Sequence, residues 1–80
     1  MRRLVILRYI ITTKSPATGE VLYYTRFGNF ESRDMIESHP YLLQIFNTNI
    51  GAKRVCTRYS KYIDKDMHLN IREVVYKAEI

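Results

Sequence analysis

The stretch Ser38-His39-Pro40-Tyr41-Leu42-Leu43-Gln44-Ile45-Phe46-Asn47-Thr48-Asn49-Ile50-Gly51 decides how the chain is read. Leu42, Ile45, Phe46 and Ile50 recur at helical spacing and Leu43 widens the stripe, while Gln44, Asn47 and Thr48 fall on the other side. Pro40 suits a first helical turn, where its missing N–H is not needed. Ser38 or His39 can cap just before it, and Gly51 offers a left-handed stop. The segment therefore reads as the one strongly helical element of the chain, a lid on a sheet.

N-terminal to this lid, Arg3 to Thr13 is rich in β-branched and aromatic residues and reads as a strand. Both of its faces are apolar, Leu4, Ile6 and Ile10 on one and Val5, Leu7, Tyr9 and Ile11 on the other, which is the signature of a central strand covered on both sides. Lys14 to Glu20 is a turn, with Pro16 fixing one φ and Gly19 free to take a positive one. Val21 to Phe27 returns as a second strand that Gly28 and Asn29 end, and Ser32 can cap a short helical turn, Arg33 to Glu37. C-terminal to the lid, Ala52 to Ile63 reads as a third strand, with Val55, Thr57, Tyr59 and Ile63 on one face. Asp64 to Asp66 is a polar turn. Leu69 to Ile80 is a fourth strand, whose change of apolar parity between Ile71 and Val74 suggests a β-bulge near Arg72 and Glu73. The expected fold is α+β: one compact domain over residues 1–80, with a four-stranded antiparallel sheet (β-β-α-β-β, spatial order 2-1-3-4) covered on one face by a single helix.

At 80 residues such a domain buries only about 60% of its unfolded surface, which leaves little room for a deep substrate pocket. A hydrophobic content of 46% excludes a disordered chain. Thirteen Lys and Arg against eight Asp and Glu give a net charge of +5, which favours nucleic acid, an anionic surface or an acidic protein as a partner. Cys56 is the single cysteine and cannot form an internal disulfide, so a reducing compartment, the cytoplasm, is expected. Arg2 and Arg3 precede an apolar run, but Arg8 interrupts it and no cleavage site follows, so no signal peptide is expected. No stretch has the length to cross a membrane.

The cations are unevenly spread. Residues 1–14 carry Arg2, Arg3, Arg8 and Lys14 without an acid, and residues 52–62 carry Lys53, Arg54, Arg58 and Lys61 without one. If both segments are strands and neighbours, Arg8, Lys53, Arg54, Arg58 and Lys61 lie beside Tyr9, Tyr59 and Tyr62. Basic groups interleaved with aromatic rings can neutralise phosphates and stack bases. The candidate binding residues for a protein partner or a nucleic acid are accordingly Arg8, Lys53, Arg54, Arg58, Tyr59, Lys61 and Tyr62. Arg26-Phe27-Gly28-Asn29-Phe30 is similar over five residues to the basic-Gly-aromatic-Gly-aromatic core of RNA-recognition motifs. It lacks the first Gly and ends a second strand rather than lying on a third, so Phe27 and Phe30 read as core.

Other chemistry finds less support. Nothing in the sequence brings His39 and His68 together for acid–base work, and Asp64, Asp66 and His68 supply at most three metal ligands on a turn. Arg54 and Arg58 would flank Cys56 on one strand face and favour its thiolate, yet no base is placed beside it. There is no Gly-rich phosphate loop, Gly-x-Ser-x-Gly elbow or Cys-x-x-Cys pair, and no cofactor is expected.

Surface remains. The first and fourth strands hold more apolar residues than one helix can hide, and an exposed apolar sheet face means a partner. The expectation is a small non-catalytic binding protein of the cell interior, a regulator or inhibitor of a larger macromolecule of the kind viruses and phages encode, with a homodimer possible. The alternative is RNA or single-stranded DNA binding through the first and third strands.

Overall fold

The computed structural model describes residues 3–59 and 68–79. Four strands, β1 (Arg3–Lys14), β2 (Val21–Tyr24), β3 (Phe30–Ser32) and β4 (Asn70–Glu79), form one antiparallel sheet in the order β3-β2-β1-β4. Between β3 and β4 come a short helix α1 (Arg33–Ser38), a 3-10 turn (Pro40–Leu42) and the main helix α2 (Asn49–Tyr59), which packs on β1 and β4. The class is α+β, a four-stranded antiparallel sheet with one main helix against it. The elements that supply the third strand and the helix differ from those read in the sequence.

β1 is the interior strand that its two-sided apolar pattern requires. It pairs with β4 in one unbroken register from Arg3↔Glu79 to Thr12↔Asn70. No bulge interrupts Arg72 and Glu73. The apolar parity of β4 changes because the residues on both its faces are apolar in turn, Ile71 and Val75 on one and Val74 and Tyr76 on the other. On its other side β1 meets β2 over Thr12↔Tyr23 to Lys14↔Val21. The turn closes as expected, with Gly19 at φ 73° and its N–H donating to the Ser15 carbonyl.

Beyond Tyr23 the strands β1 and β2 splay, and residues 42–46 fill the wedge. Phe46 exchanges both backbone hydrogen bonds with Tyr9 at 2.8 and 2.9 Å, the Gln44 N–H donates to the Tyr24 carbonyl, and the Arg26 N–H donates to that of Leu42. The stretch expected to be helical is thus a 3-10 turn followed by extended chain. Its apolar residues serve two faces, as an inserted strand demands, with Phe46 on the side of Tyr9 and Ile45 on the opposite side. Pro40 does open a helical turn, and Ser32 does cap α1, accepting a hydrogen bond from the Met35 N–H.

Residues 49–59 form α2, which joins the end of the expected lid, 49–51, to the first part of the expected third strand, 52–59. Ala52, Val55, Cys56 and Tyr59 share one stripe at i, i+3, i+4, i+7 and are buried or half-buried, whereas Lys53, Arg54, Thr57 and Arg58 face solvent. The Thr48 hydroxyl accepts from the Gly51 N–H at 3.1 Å at the start of this helix, and Arg58 lies in its last turn, where the dipole favours a cation. Gly51 therefore lies in the first turn of α2 and ends no helix. Tyr59 reaches across the sheet to make edge contacts with Tyr24 and Phe30 at 5.5 and 5.8 Å, and Phe46 stacks on Tyr24 at 6.2 Å. This aromatic cluster, with Ile11, Leu22 and Tyr9, marks the helix side of the sheet; Ile6, Arg8, Ile10, Thr12, Ile45 and Tyr76 point to the other side.

The β2–β3 loop is organised by Thr25, whose side chain is fully buried. Its hydroxyl bonds the Asn29 side-chain carbonyl oxygen and accepts from the Phe27 N–H, and its carbonyl takes the Gly28 N–H. Gly28 sits at φ 85°, a left-handed conformation that suits glycine. The resulting tight tip pushes Phe27 out of the core, 73% exposed, while Phe30 joins the aromatic cluster as expected.

Burial is graded along β1. Ile10 to Thr13 are buried on both faces, whereas Leu4, Val5 and Leu7 are exposed. Length explains the gradient: twelve strand residues span about 40 Å, whereas an eleven-residue helix spans about 16 Å. The N-terminal half of β1 and the C-terminal half of β4 therefore leave the body as a two-stranded ribbon. The radius of gyration, 13.9 Å, exceeds the roughly 12 Å of a compact chain of this length.

Replacing Ile11, with no exposed surface, by alanine is expected to cost about 2–5 kcal/mol, much of the stability of so small a domain. Val5→Ala, at a site 57% exposed, is expected to change it by about 0.5 kcal/mol or less; urea unfolding followed by circular dichroism separates the two. Burial and the nearby Tyr59 raise the Tyr24 phenol above its usual value of 10.0, against a smaller lowering by Arg58. A raised phenol favours the neutral form in the fold, so its stabilising effect is complete below the usual value and is lost as pH rises through the folded one. The thermal midpoint should fall in strongly alkaline buffer, and less steeply in Tyr24→Phe.

Candidate docking surface

The ribbon presents apolar side chains on both faces. On the helix side, the cross-strand pairs Leu7↔Val75 and Val5↔Lys77 extend past α2. On the other side, Ile6↔Tyr76 and Arg8↔Val74 extend past the body, and Ile45 from the wedge leans toward them. Ile6, Arg8, Ile45 and Tyr76 line an open groove of about 360 Å³ with an apolar lining. A groove this open cannot enclose most of a small molecule's surface, as ligand pockets do, but it can seat a side chain or two of another macromolecule. Arg8 sits at its edge with one guanidinium nitrogen donating to the Leu7 carbonyl at 3.1 Å.

The residues singled out from the sequence do not converge. Arg8 belongs to the groove side, whereas Lys53, Arg54 and Arg58 are exposed on α2, against the helix side. The adjacency of the two basic segments rested on a third strand that is a helix. On that helix Arg54 and Arg58 are one turn apart and form a cationic strip with Lys53 beside it. Tyr59 is a core ring, its hydroxyl near Gly28. Lys61 and Tyr62 lie outside the described residues, as do Asp64 and Asp66. Sequence reasoning missed Ile45, placed on the helical stripe of the supposed lid. The signal that could have found the groove was the alternation of Leu43 and Ile45 against Gln44 and Phe46, a period of two hidden inside an apparent period of 3.6.

Cys56 is half-buried on the inner stripe of α2, and burial raises its thiol above the usual value. Arg54 and Arg58, two residues to either side, point elsewhere because a helix turns by about 200° over two residues. The activation expected on a strand face is lost with the strand. His39 leads into the 3-10 turn with its ring on Tyr41 at 5.8 Å, and His68 is held by its backbone carbonyl, which accepts from the Thr13 hydroxyl at 2.9 Å. Among the described residues, no three His, Cys, Asp or Glu side chains gather, and no helix is long and apolar enough to cross a membrane. A scan against protein-family models, a search of curated proteins and a search of solved structures find nothing that matches this chain.

Alkylation of Cys56 at neutral pH is expected to be slower than that of an unstructured cysteine peptide. The rate should be insensitive to replacing Arg54 and Arg58 by Gln, as followed by mass spectrometry of the labelled protein.

Proposed function

We infer that this chain is a non-catalytic binding protein that regulates or inhibits a larger protein by docking on it through the groove side of the ribbon. One observation carries the reading: large apolar side chains, Leu4 and Tyr76 on a ribbon that the body is too short to cover and Ile45 of the wedge on the same side, remain exposed. Monomeric proteins rarely leave such side chains contiguous, and an aromatic ring beside an arginine is the usual composition of a binding hot spot. Arg8 and the net charge of +5 favour an acidic partner surface and steer its approach. Nucleic-acid binding through the basic segments is the weaker reading. Tyr59, which would have stacked a base, is engaged in the core, and the cations divide between the two sides of the sheet.

Ile45→Asp places a charge in the groove at a site already partly exposed, so the fold should persist. Affinity capture from lysate of the source cells, followed by mass spectrometry, is expected to retain one protein with the wild-type chain and to lose it with Ile45→Asp. Labelled RNA and single-stranded DNA should show no binding that falls steeply with salt. Capture unchanged by Ile45→Asp, or micromolar oligonucleotide binding with a steep salt slope, overturns the reading.

A further inference from the structure

The outer edge of β4 is the longest open edge among the described residues. The phase of its hydrogen bonds follows from Tyr9. Both backbone groups of Tyr9 are taken by Phe46, so the Tyr9↔Glu73 pair exchanges no hydrogen bonds, and the N–H and C=O of Glu73 point away from β1. By alternation Ile71, Val75, Lys77 and Glu79 present their backbone groups outward as well. No backbone hydrogen bond to that edge is made from the described residues. The opposite edge of the ribbon differs, because the Arg8 guanidinium already occupies the Leu7 carbonyl. Flat, open edges of this length are normally covered or paired.

We propose that a second copy of this chain pairs with β4 antiparallel across a two-fold axis at Val75, joining two four-stranded sheets into one of eight strands. Charge selects both the occupant and the register. Glu73 and Lys77 project from the same face of one strand about 13 Å apart, too far to meet within it. Each is exposed, and neither forms an ion pair among the described residues.

Outward-pointing residues must face outward-pointing residues, which leaves only registers in which a residue sits on the axis or faces one an even number of positions away. Centred on Glu73, two like charges collide on the axis. Centred on Val74, Glu73 faces Val75 and Lys77 faces Ile71; centred on Tyr76, Lys77 faces Val75. Only the register centred on Val75 sets Glu73 opposite Lys77 of the second copy, and symmetry repeats the pair. The same register puts Val75 against Val75 on the helix side and Val74 against Tyr76 on the groove side, so apolar residues meet apolar residues on both faces. A two-fold contact needs this self-complementarity. Tyr76 belongs to both this surface and the groove proposed above, whereas Ile45 and Arg8 stay outside the new strand pair, so Ile45→Asp tests the one and charge reversal at Glu73 and Lys77 the other.

Sedimentation equilibrium at about 0.15 M salt, over roughly 10 μM to 1 mM chain, tests it in the range where interfaces of modest area associate. The mass is expected to rise from 9.6 kDa toward twice that value. Glu73→Lys and Lys77→Glu each replace two attractive contacts by repulsive ones and should weaken association about tenfold or more. An equimolar mixture of these two variants should associate again, because each chain then carries one sign at both positions; the double variant E73K/K77E should recover as well. Circular dichroism verifies that each variant is folded. As a measurement that needs no charge reversal, Val75→Cys in a Cys56→Ser background should oxidise to a disulfide-linked dimer, whereas Val5→Cys in the same background should not. A wild-type mass of 9.6 kDa throughout, single variants that associate like the wild type, or a mixture that stays monomeric overturns the proposal.

Discussion

One strand has to satisfy its backbone on both edges and bury its side chains on both faces, and the rest of the structure follows from how far that demand can be met. At Thr12, which pairs with both β2 and β4, it is met on both edges, and the side chains of Ile10 to Thr13 are buried on both faces. Toward Arg3 it is met on one edge only, by β4. The wedge formed by residues 42–46 is the intermediate case, a substitute strand that continues the sheet past the point where β2 diverges and ends its support at Tyr9. Apolar residues on β1 beyond that point are the price of a strand longer than its cover.

Reading the sequence recovered the elements whose signals are local. The two-sided apolar pattern of β1, the Pro16 and Gly19 turn and the Ser32 cap each depend on a few adjacent residues, and each stands where expected. The exchange of helix and strand between residues 42 and 59 has a physical cause. A segment inserted between two strands needs apolar groups on both faces, and over a few residues that requirement imitates a helical stripe. Conversely, Val55, Thr57 and Tyr59 imitate strand alternation inside α2, although Ala52, Val55, Cys56 and Tyr59 carry the helical period. Tertiary pairing decided between two locally admissible readings, and it did so through long-range hydrogen bonds such as those of Tyr9 with Phe46 that no window of sequence contains.

The candidate site was legible to the same degree. An excess of apolar residues on the first and fourth strands was visible in composition alone, and these residues are exposed. The cluster of cations was not, because its assembly required two segments to be neighbours in the sheet. Moving Lys53, Arg54 and Arg58 onto a helix separates them from Arg8 and turns Tyr59 from an available ring into a structural one. The surface that remains combines an apolar groove, an arginine and an open strand edge, features suited to contact with another polypeptide.

The register of β1 against β4 also bears on how the chain reaches this state. The two strands are paired from Thr12↔Asn70 to Arg3↔Glu79, so the contact that orders the ribbon closes nearly the full separation of the sequence. Such closures carry a large entropic cost before any contact compensates for it, and they fold slowly. The β1–β2 hairpin, by contrast, is local and can form once residues up to Tyr24 have emerged. On the ribosome, β1 therefore waits through the synthesis of the wedge and α2 with the backbone edge that β4 fills unpaired, and it gains its longest partner only after residues beyond Asn70 emerge. The ribbon is in that sense the last part of this fold to form, and until it does a chaperone or a nascent neighbour meets the same strand that the finished protein keeps inside its sheet.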